Sequence, residues 1–289
     1  MLIYKQYGKL EKMAAQLRSS KESNPDGSRM IYSFYDGFTQ GMEPDENSIA
    51  DLHAWVKAKP ESITARVALA TFLIHYGWKA RGYDYANTVK DKGWQLFEER
   101  LNEAQKVLDE AKILKEKCPG YWRAQMEAAL GLQVDRKQFD EIFTQATNDA
   151  PNDISIYLQR AVYLLPRWYG NDGELEADLE KSADAIGGED GDMFYAQAVW
   201  QLHASGLSFK NVFKENHLSW PRVDRGFAVI EKQFPNSLEA KGERAYLAAY
   251  AGDAPKAREY LIETDGKANL GIFRYKEEYI RVANWAFGQ

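Results

Sequence analysis

The stretch from Pro119 to Pro151 constrains the fold of this 289-residue chain more than any other. Tyr121, Ala124, Ala128 and Leu132 recur at helical spacing. After a break at Val134 and Asp135, so do Phe139, Ile142, Phe143 and Ala146. Apolar residues three and four apart line one face of a helix, so the stretch predicts two short amphipathic helices. A pair this short cannot bury both stripes by itself and needs like pairs on either side, which is why such units occur in stacked arrays. The expectation is an all-α fold, a tetratricopeptide-like α-solenoid of antiparallel helix pairs with irregular repeats.

The remaining residues read as neighbours of that pair. Leu10, Met13, Ala14 and Leu17 predict a helix over Lys5–Leu17, followed by a turn around Asn24, Pro25, Asp26 and Gly27. Met30–Phe38 has strand-like aromatic content, but an aromatic cap helix suits its surroundings better. A break at Gly41–Asn47 precedes a helix through Leu52, Trp55 and Val56 that must stop before Pro60. Residues 1–59 are thus expected to form an N-terminal helical cap, and residues 60–289 a repeat array continuous with it as one body.

The array opens with Ser62, Ala65, Ala68, Leu69, Phe72 and Leu73, where small residues let a partner helix come close. The pattern then breaks, and His75 to Val89 reads as an insertion. Trp94, Phe97, Leu101, Ala104, Leu108 and Ala111 keep alternating three- and four-residue steps, a single long helix that fits packing across several neighbours better than a coiled-coil seam. Pro151 opens a unit with Ile154, Tyr157, Leu158 and Ala161 that Pro166 interrupts. Helices follow over Glu174–Ala185, Met193–His203 (ending at Gly206) and Ser219–Phe234. A clear repeat around the Gly252-Asp253 turn comes next, and Ile272–Ala286 closes the chain as a cap. The signature glycine of the tetratricopeptide unit is replaced in the Pro119–Pro151 pair by Glu127.

Composition removes several function classes. With 45% hydrophobic and 28% charged residues the chain is expected to be a folded, soluble protein. A net charge of -6 offers no basic footprint, so nucleic acid is not an expected partner. The opening residues contain no apolar run long enough for a leader or a membrane span. The expected location is cytoplasmic as the sequence stands, or periplasmic or exported if a leader has been removed. No cofactor or metal is expected. Cys118 is the single cysteine, and His53, His75, His203 and His217 show no ligand spacing. Asp190-Gly191-Asp192 is a calcium-loop fragment without the distal glutamate. Between Asp172 and Asp192, nine carboxylates face the single Lys181, which reads first as a solvated helix face and an acidic loop, and second as a docking patch for a basic partner.

Two motifs carry a family resemblance. Trp78, Lys79, Ala80, Arg81 and Gly82, followed by Tyr85, Ala86, Val89, Gly93, Trp94 and Phe97–Leu101, form the first; Leu164–Gly170 with Gly173, Glu174 and Glu176 forms the second. Across about residues 60 to 180 the chain resembles an uncharacterised bacterial domain-of-unknown-function family. The resemblance implies a tetratricopeptide-like helical array. It supplies no activity or catalytic residue, and such proteins often carry an export signal that this sequence lacks.

Candidate binding residues lie where the repeat pattern is broken. Tyr76, Trp78, Arg81 and Tyr83 occupy the first interruption and Arg167, Trp168 and Tyr169 the second, combining rings that stack with guanidinium groups that form charge-assisted hydrogen bonds. The competing reading is an aromatic plug that fills the gap left by an insertion. Three functions follow. The first is a non-catalytic module that binds a protein or peptide. The second is an enzyme of unknown reaction with a site near His75, Arg81 and Arg167. The third is a structural subunit or homodimer, indicated if the Trp94–Leu114 helix leaves an apolar face exposed.

Overall fold

The computed structural model describes residues 1–39, 46–82, 86–151, 153–204, 211–267, 269–273 and 275–288. Tyr83, Tyr85, Gly206 and most of the Gly41–Asn47 break lie outside the described residues. Among the described residues the chain folds into α-helices with no strand, as the apolar periodicity predicts. None of these helices is long and apolar enough to cross a membrane. The chain divides into two compact units. One comprises Met1–Ser23 with Arg29–Gln159, and the other Asn24–Ser28 with Arg160–Gln289.

The first unit contains α1 (Tyr7–Ser20), α2 (Met30–Asp36), α3 (Glu46–Ala58), α4 (Ile63–Arg81), α5 (Asp91–Lys112), α6 (Pro119–Gly131), α7 (Arg136–Asp149) and the start of α8 (Ile154–Tyr163). At its centre is α4, which packs on α1, α2, α3, α5 and α6. The Ser62 hydroxyl opens this helix by accepting the Ala65 N–H at 2.9 Å, a cap worth about 1 kcal/mol. From Ile63 to Ile74 every residue is buried, so α4 is core on all sides rather than a two-faced surface helix.

The break expected after Leu73 does not occur there. His75–Arg81 continue the helix for two more turns, because nothing in that run stops it before Gly82, whose φ of 80° is left-handed and whose N–H closes on the Trp78 carbonyl at 2.9 Å. The long helix is present as α5, and its apolar stripe of Phe97, Leu101, Ala104, Leu108 and Ala111 is buried against α4 and α6. Within the Trp94–Leu114 stretch Trp94 is half-buried, and Ile113, just past the end of α5, is 85% exposed. The pair from Pro119 to Pro151 appears as α6 and α7, with Asp135 capping α7 by accepting the Gln138 N–H at 2.8 Å. A Cβ at Gly131 would come within 2.5 Å of Leu101 and 3.0 Å of Phe97, so this position sets how closely α6 approaches α5.

Polar anchors tie the amino-terminal helices to this core. Glu11 accepts from the Trp55 indole at 2.9 Å and from the Ser62 hydroxyl at 2.6 Å. Asp153 is buried and accepts from the Tyr32 hydroxyl at 2.5 Å and the Arg29 guanidinium at 3.0 Å. Burial, followed by the Asp153 charge, pushes the Tyr32 phenol well above its ordinary range.

The second unit continues with the end of α8, then α9 (Glu174–Ile186), α10 (Gly188–Ala204), α11 (Val212–Glu215), α12 (Trp220–Gln233), α13 (Leu238–Ala251), α14 (Ala254–Glu263) and α15 (Lys276–Phe287). Packing follows sequence: α10 lies on α9 and α12, α13 on α12 and α14, and α15 on α13 and α14. The Gly252-Asp253 turn is as read. Gly252 takes a φ of 84°, and Asp253 accepts the Lys256 N–H at 3.2 Å to start α14. Ile272 precedes the last helix rather than joining it, yet it is buried with Phe273 against Tyr246, Tyr260 and Leu261.

The acidic stretch differs most from its reading. Gly188–Asp192 form the first turns of α10, not a loop, and the calcium-loop fragment is therefore helical. Arg222 of α12 pairs with Glu180, with Asp184 at 2.9 Å and with Asp192 at 3.1 Å. Arg225 reaches Asp192 at 2.9 Å and Lys232 reaches Glu189 at 2.9 Å. These carboxylates form much of the seam between α9, α10 and α12, which leaves less of the run available for a basic partner.

Candidate functional site

The last turn of α4 and the first turns of α5 bring the first interruption together. Trp78 and Trp94 both meet Phe97 edge-on, with ring centroids 4.7 Å and 5.9 Å away. The Arg81 guanidinium lies over both indoles, 5.4 Å from the Trp78 ring and 4.9 Å from that of Trp94. Only 8% of Arg81 is exposed, whereas both indoles are half-buried. Indole faces attract a cation through their quadrupole, by about 2 kcal/mol when it is desolvated. Arg81 also donates to the Gly82 carbonyl at 2.9 Å. One turn back, Arg100 of α5 covers the Tyr76 ring at 3.3 Å and donates to the Tyr76 carbonyl at 2.9 Å.

Tyr76, Trp78 and Arg81 therefore lie on one helix end, but each faces a group from α5. Trp94, Phe97 and Arg100 complete the cluster and were missed in the sequence because they read as positions on the long amphipathic helix. Beside Arg81 a cavity of about 340 Å³ opens, with Thr88, Val89, Lys90, Lys92 and Leu96 in its lining.

The second interruption is built differently. Beyond Pro166 the chain turns, the Trp168 N–H meeting the Leu165 carbonyl at 2.8 Å and the Tyr169 N–H meeting that of Tyr163 at 3.1 Å. The Tyr169 ring stacks on buried Tyr163 at 4.6 Å with an interplanar angle of 17°, and burial raises its phenol. Arg167 is exposed, 5.4 Å from the Trp168 ring. Arg167, Trp168 and Tyr169 belong to the second unit, while Tyr76, Trp78 and Arg81 belong to the first.

His75 is half-buried on α4 and is not part of the lining of the Arg81 cavity. Cys118 lines another cavity of the first unit, about 290 Å³, together with Lys112, Lys117, Trp122 and Asn148. Burial pushes its thiol up, although the Tyr35 hydroxyl at 3.2 Å and the Arg18 charge act the other way. Such a thiol packs as a small apolar group rather than serving as a nucleophile.

The family model described as a domain of unknown function (DUF4034) matches residues 1–112. That span holds α1 to α5 and with them the whole of the Trp78, Arg81 and Trp94 cluster; it ends before the Leu164–Gly170 motif. No curated protein and no solved structure matches the chain.

Proposed function

We propose that this protein is a non-catalytic, tetratricopeptide-like helical-repeat module that binds a protein or peptide, with residues 1–59 as its cap and residues 60–289 as its array. One observation carries the reading. Two half-exposed indoles hold a guanidinium beside an open cavity at the end of α4. Rigid aromatic groups next to a concavity supply contact area at little entropic cost, which is how recognition surfaces acquire their strongest contacts. The Trp168 and Tyr169 turn is the secondary candidate, because its rings too are only half-buried. Tetratricopeptide-like pairing is supported by consecutive short helices packed on one another, α6 with α7 and α13 with α14, each joined by a turn that ends in an Asp cap.

The test is selection of peptides from a displayed random library on the full chain. A recurrent motif should be enriched, and Trp94→Ala should abolish that enrichment while the chain stays folded. If the selected pool matches that of an unrelated helical protein, or if Trp94→Ala leaves enrichment intact, the reading fails.

A further inference from the structure

The cavity at Cys118 is a separate feature of the first unit, on which the proposed binding function makes no demand. Its buried lining is apolar, formed by Ile63, Ala111 and the edge-on ring pair of Tyr121 and Trp122, whose centroids are 4.9 Å apart. Its rim carries both signs of charge. Lys112 is the last residue of α5 and Lys117 precedes α6, whereas Asp149 is the last residue of α7. Both lysines are exposed and enter no ion pair among the described residues, and Lys117 donates to the Lys112 carbonyl at 3.1 Å. Gln145 and Asn148, one turn of α7 apart, add two exposed carboxamides that make no hydrogen bond among the described residues.

One buried polar group of the lining lacks a partner. Tyr121 is 7% exposed, and its hydroxyl has no hydrogen bond among the described residues. A buried hydroxyl left in this way is costly, and a bound polar group removes the cost. Burial first, then the charges of Asp109 and Asp149, push its phenol up to about 12. At neutral pH it therefore keeps its proton and can accept from an incoming N–H, and the same two charges favour a cation there. Asp149 accepts the Trp122 indole N–H through Oδ2 at 3.1 Å, and its Oδ1 accepts nothing among the described residues.

The helix ends sort the two charges. At this cavity α6 starts, with Cys118 as an N-cap that supplies no side-chain hydrogen bond, and α7 ends. A helix start carries partial positive charge and a helix end partial negative charge. Although α5 also ends here, the Lys117 ammonium answers its last carbonyl. The start of α6 with Lys112 and Lys117 thus suits a carboxylate, and the end of α7 with Asp149 and the Tyr121 hydroxyl suits an ammonium. A volume of about 290 Å³, at the small end for a ligand pocket, holds one compact molecule rather than a length of peptide. We infer that the Cys118 cavity binds a free α-amino acid with an apolar side chain, its carboxylate toward Lys112 and Lys117, its ammonium toward Asp149 and its side chain on the rings of Tyr121 and Trp122.

The test uses the full chain and L-leucine as the probe, followed through the Trp122 indole N–H resonance, which Trp122→Phe assigns. Leucine should shift that resonance saturably. N-acetyl-L-leucine, which lacks the ammonium, and L-leucinamide, which lacks the carboxylate, should each bind at least tenfold more weakly, and so should glycine, which lacks the side chain. The double variant Lys112→Gln/Lys117→Gln changes only exposed side chains and should weaken leucine binding at least tenfold with unchanged melting. Asp149→Asn keeps an acceptor for the indole while removing the charge, and should weaken leucine binding to the same extent. A resonance that leucine does not move overturns the inference. Equal binding of leucinamide or N-acetylleucine does so too, because one charge would then be enough and the end of a peptide chain would serve as well. Unaltered affinity in the lysine variant or in Asp149→Asn, or glycine binding as tightly as leucine, has the same consequence. The displayed-library selection judges the binding module separately, so either reading can fail while the other stands.

Discussion

Two arginines of this protein are equally buried and have different described neighbours. Arg81, in the first unit, is 8% exposed, and so is Arg244, in the second. The Arg81 guanidinium lies over two indole rings, and the residue lines a cavity. Arg244 is clamped by carboxylates, Asp224 at 2.8 Å and Glu231 at 2.6 Å, with its plane 4.1 Å from the Tyr260 ring. Asp224 accepts further from Lys256 and from the Tyr260 hydroxyl, both at 2.6 Å, which joins α12, α13 and α14. Burial alone would raise the Asp224 carboxyl, yet Lys256, Tyr260 and Arg244 hold it below its ordinary range, while burial pushes the Tyr260 phenol up to about 12. A guanidinium whose charge is answered by two carboxylates is structural.

The contrast can be broken most forcefully at Arg244. Arg244→Met takes from Glu231 the cation that faces it and leaves Asp224 to Lys256 and Tyr260, and a urea titration should show a loss of about 3 kcal/mol. Arg81→Met leaves the indoles packed on an unbranched apolar chain, and the same titration should show about 2 kcal/mol or less. If the two losses were equal, the distinction between clamped and stacked cations would be wrong.

Glu243, the neighbour of Arg244 on α13, sharpens the point. It is equally buried, but faces Glu239 and Asp26 and no paired cation among the described residues; burial first, then those two charges, raises its carboxyl well above the ordinary value. Its folded pKa thus exceeds the unfolded value of about 4.3, so its contribution is full below that pH and is lost as pH rises through the folded value. Glu243→Gln should leave stability unchanged near pH 4 and raise it progressively toward pH 8, as read from melting temperatures across that range. Asp224→Asn should do the reverse: the depressed folded pKa of Asp224 gives stability above its unfolded value of about 3.9 that is lost on acidification, so the variant should be less stable at pH 7 and converge with the parent at low pH.

The smallest effect is expected at the second interruption. Trp168 sits in a turn, half-buried and near an exposed arginine, so Trp168→Ala should lower stability by about 1 kcal/mol or less. Trp78→Ala should cost more, about 2 kcal/mol, because its ring packs on Phe97 and lies 3.5 Å from the Cβ position of Gly131. Calorimetry on both variants would rank the two interruptions.

Much of the fold was legible because helix periodicity and punctuation are local. Ser219 and Asp253 open helices where the sequence places them, and Gly252 ends the helix before the second; Ser62 and Asp135 cap theirs in the same local way. The end of α4 was misread for an equally local reason. A run of aromatic and charged residues from His75 to Arg81 breaks the apolar pattern without breaking the backbone, and only a neighbouring helix tells a continued core helix from an insertion. The candidate site was half visible: Trp78 and Arg81 stood out, whereas Trp94 and Arg100 did not, since their contacts depend on where α5 begins relative to the end of α4.

By itself, the sequence determined that this chain is helical, where most helices start and stop, and that its aromatic and basic residues gather at two irregular places. Those properties follow from side chains acting on their own backbone and on residues three or four positions away. Tertiary structure alone decided that four of the nine carboxylates of 172–192 pair with Arg222, Arg225 or Lys232, that α4 is buried on every side from Ile63 to Ile74, and that the Arg81 guanidinium lies over two indoles while Arg244 is held by two acids. Charge pairing and burial depend on distances between segments tens of residues apart, and those distances exist only once the helices have packed.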